Sequence, residues 1–153
     1  MNQPNKTNST STIQDINWNL EDLYENSDAL LQDLDRVELA AKKFAKQYRT
    51  KIASLDETAL VKAIEKMENL QDQLGRAYTY AYLNWCINTE DTERGAFLYK
   101  IRERYSQIEQ GLLFFDLEWT QLENKTAKKI LKTTHLHPYK HYLELQRLQK
   151  PHL

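Results

Sequence analysis

The chain has few residues that interrupt helices or cross-link a fold. Its 153 residues include three glycines, three prolines and one cysteine. So few breakers argue against the many short strands and turns of an all-β domain and favour long helices. Because Cys86 has no second cysteine to pair with, the class of small secreted domains held by internal disulfides is not expected, and a reducing cytoplasm fits better.

Long apolar runs and an excess of one charge are also lacking. No stretch approaches the roughly 18 apolar residues of a membrane span, and the polar start has no signal-peptide core. We therefore expect a soluble, cytoplasmic protein without a membrane partner and with a disordered polar tail over residues 1–15. Lys and Arg number 21 against 22 Asp and Glu, and no basic stripe stands out, so a nucleic-acid partner is not expected.

Through most of the remaining sequence, apolar residues recur every three or four positions, which is typical of amphipathic helices. This period predicts a first helix over about 28–49, with an N-cap at Ser27 or Asp28. Ser54 and Glu57 have the spacing of a capping box, so we expect them to start a second helix. That helix is predicted to continue to about residue 86, through Gly75, which weakens a helix without necessarily breaking it.

A third helix is predicted to follow the capping residues at 88–92 and to continue through Trp119. Shorter helices are expected over 125–132 and, after Pro138, over 139–149. The resulting fold prediction is an all-α domain over 16–153, in which about five helices, the long ones antiparallel, form a hairpin or bundle.

The histidines near the C-terminus are the most obvious candidates for a metal site. His137 and His141 have the i, i+4 spacing that zinc peptidases use on a helix. However, Pro138 occupies the position of the glutamate that acts as general base in H-E-x-x-H sites, and it also places His137 at a helix entrance. Together with His135, these side chains are expected to be solvated and not to bind a metal.

Other chemically reactive side chains also favour structural roles. Cys86 has no histidine nearby in sequence and lies among aromatic residues, which predicts a buried thiol. The carboxylate pairs Asp33/Asp35 and Glu90/Asp91 lie in polar sequence and are expected on solvated helix surfaces. The sequence also lacks the G-x-S-x-G and P-loop motifs. We therefore expect no catalytic residue in this chain.

Aromatic residues cluster near the end of the predicted second helix. Tyr78, Tyr82 and Trp85 fall on one side of that helix at i, i+4 and i+7. One interpretation is packing in the core or between helices. The other is a wall of a peptide groove, where exposed rings contact a ligand. The pattern leaves both open, and these three residues are the candidate binding residues.

The order of several short segments is familiar from a known family. Residues 18–24, WNLEDLY, resemble the W-x-L-x-D-L-Y opening of oligoendopeptidase F-type metallopeptidases. Further segments are similar to that family in the same order: 44–48, 55–56, 74–81, 88–92, 113–118, 139–143 and 150–153. The resemblance covers essentially everything after the polar tail, and it lies in the shared order more than in any one segment.

The resemblance implies the N-terminal helical part of a cytoplasmic zinc metalloendopeptidase, which helps to enclose a channel where oligopeptides are hydrolysed. The family's H-E-x-x-H helix and third zinc ligand lie downstream of the matched region, so no catalytic or zinc-binding residue carries over. We expect a truncated, inactive chain without a cofactor of its own, whose partners are oligopeptides and the missing C-terminal catalytic domain.

The alternative to this enzyme fragment is a free-standing helical interaction module that binds a partner helix or peptide. The fragment hypothesis predicts an exposed apolar surface where the catalytic domain packs. The module hypothesis predicts a stable monomer or symmetric oligomer without such a surface.

Overall fold

The computed structural model describes residues 19–148. These residues contain six α-helices and three 3-10 segments and no strand, so the predicted all-α class is confirmed. The predicted tail at 1–15 lies outside the described residues, as does most of the expected extended lead-in. In this part of the chain no helix combines the length and apolar content needed to cross a membrane.

The six helices follow closely on one another. Their bounds are Ser27–Tyr48 (α1), Glu57–Ile87 (α2), Thr92–Leu112 (α3), Phe114–Gln121 (α4), Asn124–Leu131 (α5) and Lys140–Leu148 (α6). The 3-10 segments are Leu20–Asp22, Ile52–Ser54 and Thr134–Tyr139. Helix α2 passes through Gly75 without interruption, and its 31 residues span about 46 Å.

Helices α1, α2 and α3 form an antiparallel three-helix bundle. The six apolar positions predicted to form the inner stripe of α1 are all buried: Leu30, Leu34, Val37, Ala41, Phe44 and Tyr48. Tyr24 packs edge-on against Tyr80 at one end of the α1–α2 pair, and Lys66 reaches Gln47 at the other. The predicted hairpin architecture is therefore present, with α1 packed against both helices of the α2–α3 hairpin.

The first two helices begin at caps other than those predicted. The side chain of Asn26, not Ser27 or Asp28, accepts from the Ala29 amide at 2.9 Å and caps α1. The proposed capping box of α2 is also wrong. Asp56 is extended and its Oδ1 accepts from the Ala59 amide at 2.8 Å, so it is the N-cap.

Ser54 cannot cap α2 because it belongs to the preceding turn. It ends the 3-10 segment Ile52–Ser54, and its hydroxyl donates to the Lys51 carbonyl at 2.8 Å. The Glu57 carboxylate, which a capping box would direct to the Ser54 amide, accepts instead from the amide of His135 at 3.1 Å.

The predicted third helix is divided between α3 and α4. Leu113, at the junction, keeps helical dihedral angles of −57° and −25°. The Arg49 guanidinium donates to the Gly111 carbonyl at 3.1 Å, which a continuous helix would direct to residue 115. This side-chain contact from α1 gives a physical reason for the interruption at Leu113, and α4 packs against α6 and the segment Ile52–Ser54.

Two side chains join α4 and α6, the buried Trp119 and the half-buried Arg147. The fully buried Trp119 donates from its indole Nε1 to the Leu143 carbonyl at 2.8 Å. In return, Arg147 donates to the carbonyls of Trp119 and Leu122 at 2.9 and 2.8 Å, and thereby contacts the C-terminal end of α4. These bonds fix α6 across α4.

Candidate functional site

Four aromatic rings form a continuous series on the α2–α3 hairpin, which we call the aromatic ladder: Tyr78, Tyr82, Trp85 and Tyr105. Tyr82 stacks on Tyr78 with centroids 6.3 Å apart, and lies 6.1 Å from Trp85. Tyr105 of α3 extends the series, at 5.8 Å from Tyr78. The three predicted residues thus come together, with Tyr82 44% exposed and Tyr78 and Trp85 half-buried against the core.

An open groove of about 540 Å³ runs along α3 beside this ladder. Its lining includes Met67 and Gln71 of α2, Glu103, Glu109 and Leu112 of α3, and Asp116 of α4. We call it the α3 groove. The Tyr105 hydroxyl donates to Glu109 Oε1 at 2.8 Å, so the ladder and the α3 groove share a hydrogen bond.

Asp116 is the most enclosed acid of the α3 groove. Its Oδ1 accepts from the Tyr142 hydroxyl of α6 at 2.7 Å. Burial raises the pKa of Asp116, and the hydrogen bond from Tyr142 only partly opposes that effect. Burial and the same hydrogen bond raise the pKa of Tyr142. A carboxyl group with a raised pKa that lines a groove is a common feature of binding and catalytic sites.

The predicted burial of Cys86 is wrong. Its side chain is exposed on the last turn of α2, beside the ladder. The aromatic neighbours that predicted burial are themselves at the surface or half-buried. A hydrogen bond with Cys86 is the main cause that raises the pKa of the Tyr82 hydroxyl.

Asp33, predicted as a solvated surface acid, is instead part of an interhelical network. Its carboxylate accepts from the Tyr24 hydroxyl at 2.7 Å and from Arg76 at 3.1 Å, and Arg36 contacts its other oxygen. Burial, the largest single influence, favours the neutral acid, but the donors together outweigh it and lower the pKa of Asp33. The network joins α1 and α2.

The remaining predicted surface acids differ in role. Asp91 caps α3 by accepting from the Glu93 and Arg94 amides, and hydrogen bonds from Arg94 lead the causes that lower its pKa. Asp35 keeps 70% of its side chain exposed while pairing with Arg104 at 2.7 Å. Glu90 is exposed in the connection between α2 and α3, as expected of a solvated acid.

The histidine cluster is divided between different elements. His135 contacts Glu57 through its ring Nδ1 at 2.8 Å. His137 lies in the 3-10 segment Thr134–Tyr139 and His141 in α6, so the two do not share a regular helix. Within residues 19–148, no three His, Cys, Asp or Glu side chains gather in a way that could hold a metal ion. The zinc implied by the resemblance therefore has no fitting ligand set in this region.

Comparisons of the chain with known protein families, with curated proteins and with solved structures returned no match. The aromatic ladder and the α3 groove therefore carry the functional interpretation through their own chemistry. Ring faces offer stacking and apolar contact, and the groove carboxylates offer acceptors and negative charge. These contacts lie along two helices, α2 and α3.

Two groups in this site were not singled out from sequence. Neither Tyr105 nor Asp116 was named among the candidate binding residues. A signal for Tyr105 existed, because folding the second and third helices back on each other at residues 88–92 brings it near Tyr78. A signal for Asp116 also existed, because it follows Glu109 by seven positions and so shares its helical face, but its partner Tyr142 comes from α6.

Proposed function

We propose that this chain forms the N-terminal helical part of an oligoendopeptidase F-type zinc endopeptidase, with α2 and α3 as one wall of its peptide channel. The observation that carries the proposal is the α3 groove, about 540 Å³ in volume and linked to the partly exposed aromatic ladder. An extended peptide can place alternate side chains against rings and into the groove. Zinc and the catalytic residues belong to the catalytic domain in this proposal.

Contacts between the family-like segments support the proposal. Tyr24, from the opening segment, packs on Tyr80 and hydrogen-bonds Arg76, both from segment 74–81. Asp116, from segment 113–118, accepts from Tyr142 of segment 139–143. Segments that resemble the family therefore pack against one another, as expected if their shared order reflects a shared fold.

The exposed apolar residues are consistent with a further domain packing on this one. Leu145 and Leu148, three positions apart on α6, are 48% and 72% exposed, and Leu113 at the rim of the α3 groove is 50% exposed. Exposed leucines on neighbouring turns of a helix are typical of an interaction surface when they cluster. The fragment hypothesis predicts such a surface.

The test is the mass and metal content of the endogenous protein, captured from its source cells with an antibody against this segment. We expect a product much heavier than 18.2 kDa, with about one zinc ion per chain, as a single H-E-x-x-H site requires. It should cleave a quenched oligopeptide in a chelator-sensitive manner. A zinc-free product near 18.2 kDa would contradict the proposal.

The isolated chain provides the complementary measurement. With zinc added, the purified chain is expected to show no chelator-sensitive peptide cleavage, because the H-E-x-x-H site lies outside it in this proposal. Cleavage that co-purifies with the isolated chain and is abolished by chelator would contradict the assignment of catalysis to another domain.

A free-standing interaction module is the second candidate. The bonds from Arg147 to α4 and from Trp119 to α6 favour it, because they hold the last described helix against the rest without another domain. In that case the α3 groove would bind a partner peptide without cleavage. An endogenous product near 18.2 kDa that binds peptides would support this candidate.

A further inference from the structure

We infer that the peptide bound along the α3 groove is cationic, with lysine or arginine side chains among Glu103, Glu109 and Asp116 and a neighbouring apolar residue on the aromatic ladder. This inference rests on the proposed function in treating the bound peptide as a substrate. The choice of a peptide follows from the open, elongated site along two helices, and the choice of charge follows from the groove itself.

The charged side chains that line the α3 groove are all acidic. Glu103, Glu109 and Asp116 line it, and among its lining side chains within residues 19–148 there is no lysine, arginine or histidine. Clefts lined by one sign of charge concentrate ligands of the opposite sign. A cationic peptide therefore fits this groove, whereas an acidic peptide would add like charge to it.

The three groove carboxylates are also left without a basic partner inside the described part of the chain. Asp33, Glu38 and Asp91 each form an ion pair with an arginine. No such pair involves the groove acids: Glu109 accepts from the Tyr105 hydroxyl and Asp116 from the Tyr142 hydroxyl. Glu103 and Glu109 are exposed as well, so their negative charges remain available to a ligand.

The spacing of the acids fits side chains of an extended peptide. Glu103 and Glu109 are six residues apart on α3, which is about 9 Å along the helix axis. Side chains two or three residues apart in an extended strand are separated by about 7 to 10 Å. Along the axis this separation matches the two glutamates; around the axis they lie about 120° apart, so each basic side chain approaches its glutamate from a different side of α3.

The aromatic ladder adds a contact for the uncharged part of such a peptide. Tyr105 connects the ladder to the groove through Glu109, and the rings of Tyr78 and Tyr82 continue away from it. Apolar side chains and the methylene stems of lysine or arginine pack on aromatic faces, and their cationic ends are attracted to the same faces. Charge and apolar contact therefore act together.

The test measures binding of labelled peptides to the full chain by fluorescence anisotropy. Three peptides of one sequence, acetylated and amidated at their ends, carry lysine, glutamine or glutamate at two positions separated by one or two residues. We expect the lysine peptide to bind at least about tenfold more tightly than the glutamine peptide, a difference of about 1.4 kcal/mol. The advantage should shrink as salt is added.

Substitutions in the groove test its role directly. Glu103→Gln and Glu109→Gln are each expected to lower the affinity for the lysine peptide severalfold. The affinity for the glutamine peptide should not change. Glu25→Gln removes one charge from an exposed acid away from the groove and serves as the matched control. Both groove positions are exposed, so these changes should leave the helical circular dichroism unchanged.

Two tyrosine substitutions, one in the aromatic ladder and one outside it, test the role of the ladder. Tyr82→Ala should lower the affinity for every peptide that binds. Tyr99→Ala, at a tyrosine that is 71% exposed and outside the ladder, should leave these affinities unchanged.

Equal binding of the three peptides, or no binding of any, would overturn the inference of a cationic ligand. Either result leaves the proposed function to be decided separately by the mass and zinc content of the endogenous protein.

Discussion

At the scale of single residues, Asp33 shows how one carboxylate joins two helices. Only 13% of its side chain is exposed, and it accepts from Tyr24 and Arg76. The Arg76 guanidinium also lies 4.9 Å from the centre of the Tyr24 ring. Hydrogen bonds to an ionised acceptor are stronger than neutral ones. Asp33 is therefore expected to stabilise the packing of α1 on α2.

We expect Asp33→Asn to lower the free energy of unfolding by about 1 to 2 kcal/mol at neutral pH, because the bonds that remain lose their charge assistance. Urea unfolding followed by circular dichroism measures the change. Asp35→Asn is the matched control, since Asp35 is 70% exposed and should cost less than about 0.5 kcal/mol. Equal losses at the two positions would contradict the role assigned to Asp33.

The same network predicts a pH dependence. The folded-state pKa of Asp33 lies below its unfolded value. Its stabilisation is therefore fully present above the unfolded value of about 4, and is lost as the pH falls through the folded-state pKa. The difference between the wild-type chain and Asp33→Asn should shrink over that acidic range and remain constant at higher pH.

The sequence did not predict the roles of residues whose partners lie far away along the chain. Asp33 looked solvated because its neighbours in sequence are polar, whereas Arg76 lies 43 positions away. Cys86 looked buried because its neighbours are aromatic, whereas those rings form the ladder at the surface. Local composition predicts burial only when neighbours in sequence share the same environment.

At the scale of helices, the periodic pattern predicted each apolar stripe better than it predicted helix ends. The inner face of α1 is buried as expected, because burial of an amphipathic stripe follows directly from its spacing. Helix ends depend on one or two capping bonds, and several nearby residues can compete to make them. At the start of α2 the competitors were Ser54 and Asp56.

The N-cap of α2 gives a direct test at this scale. Asp56→Ala removes the acceptor for the Ala59 amide and should lower the free energy of unfolding by about 1 kcal/mol. Ser54→Ala removes only a hydroxyl that donates to the Lys51 carbonyl, and it should cost clearly less. Thermal or urea unfolding of both variants decides between the two caps, and a larger loss for Ser54→Ala would restore the capping box.

The helical spacing of apolar residues could not predict that α3 ends and α4 begins at Leu113. Apolar residues continue with helical spacing across the junction, and Leu113 itself remains helical. The interruption coincides with the contact of Arg49, the C-cap of α1, with the Gly111 carbonyl of α3. Asp116 lies seven positions after Glu109, on the same face of a helix that continues through Leu113, so its place in the α3 groove was predictable, whereas its contact with Tyr142 of α6 was not.

At the scale of the whole molecule, the described chain comprises the three-helix bundle and a C-terminal group, α4 to α6. Arg147 is central to the second group, since it donates to the Trp119 and Leu122 carbonyls and to Asn124. The planar guanidinium can serve these acceptors together because its donors are held in a fixed geometry. A lysine has the charge but not this geometry.

We therefore expect Arg147→Lys to lower the free energy of unfolding by about 1 to 3 kcal/mol, the range for hydrogen bonds made by a charged donor. Arg102→Lys, at an exposed position on α3, is the matched control and should change stability by less than about 0.5 kcal/mol. Urea unfolding monitored by tryptophan fluorescence suits the test because Trp119 lies in this group. Equal stability of both variants would show that the carbonyl contacts contribute little.

The dependence of α4 on Arg147 also has a consequence for the order of events during translation. By the time residue 112 has left the ribosome, the chain contains every helix of the three-helix bundle. Arg147, which links the end of α4 to α6, is by contrast synthesised 25 to 28 residues after the carbonyls it contacts. Since folding tends to begin at the N-terminus during synthesis, we expect the bundle to form first and α4 to gain its contacts with α6 last.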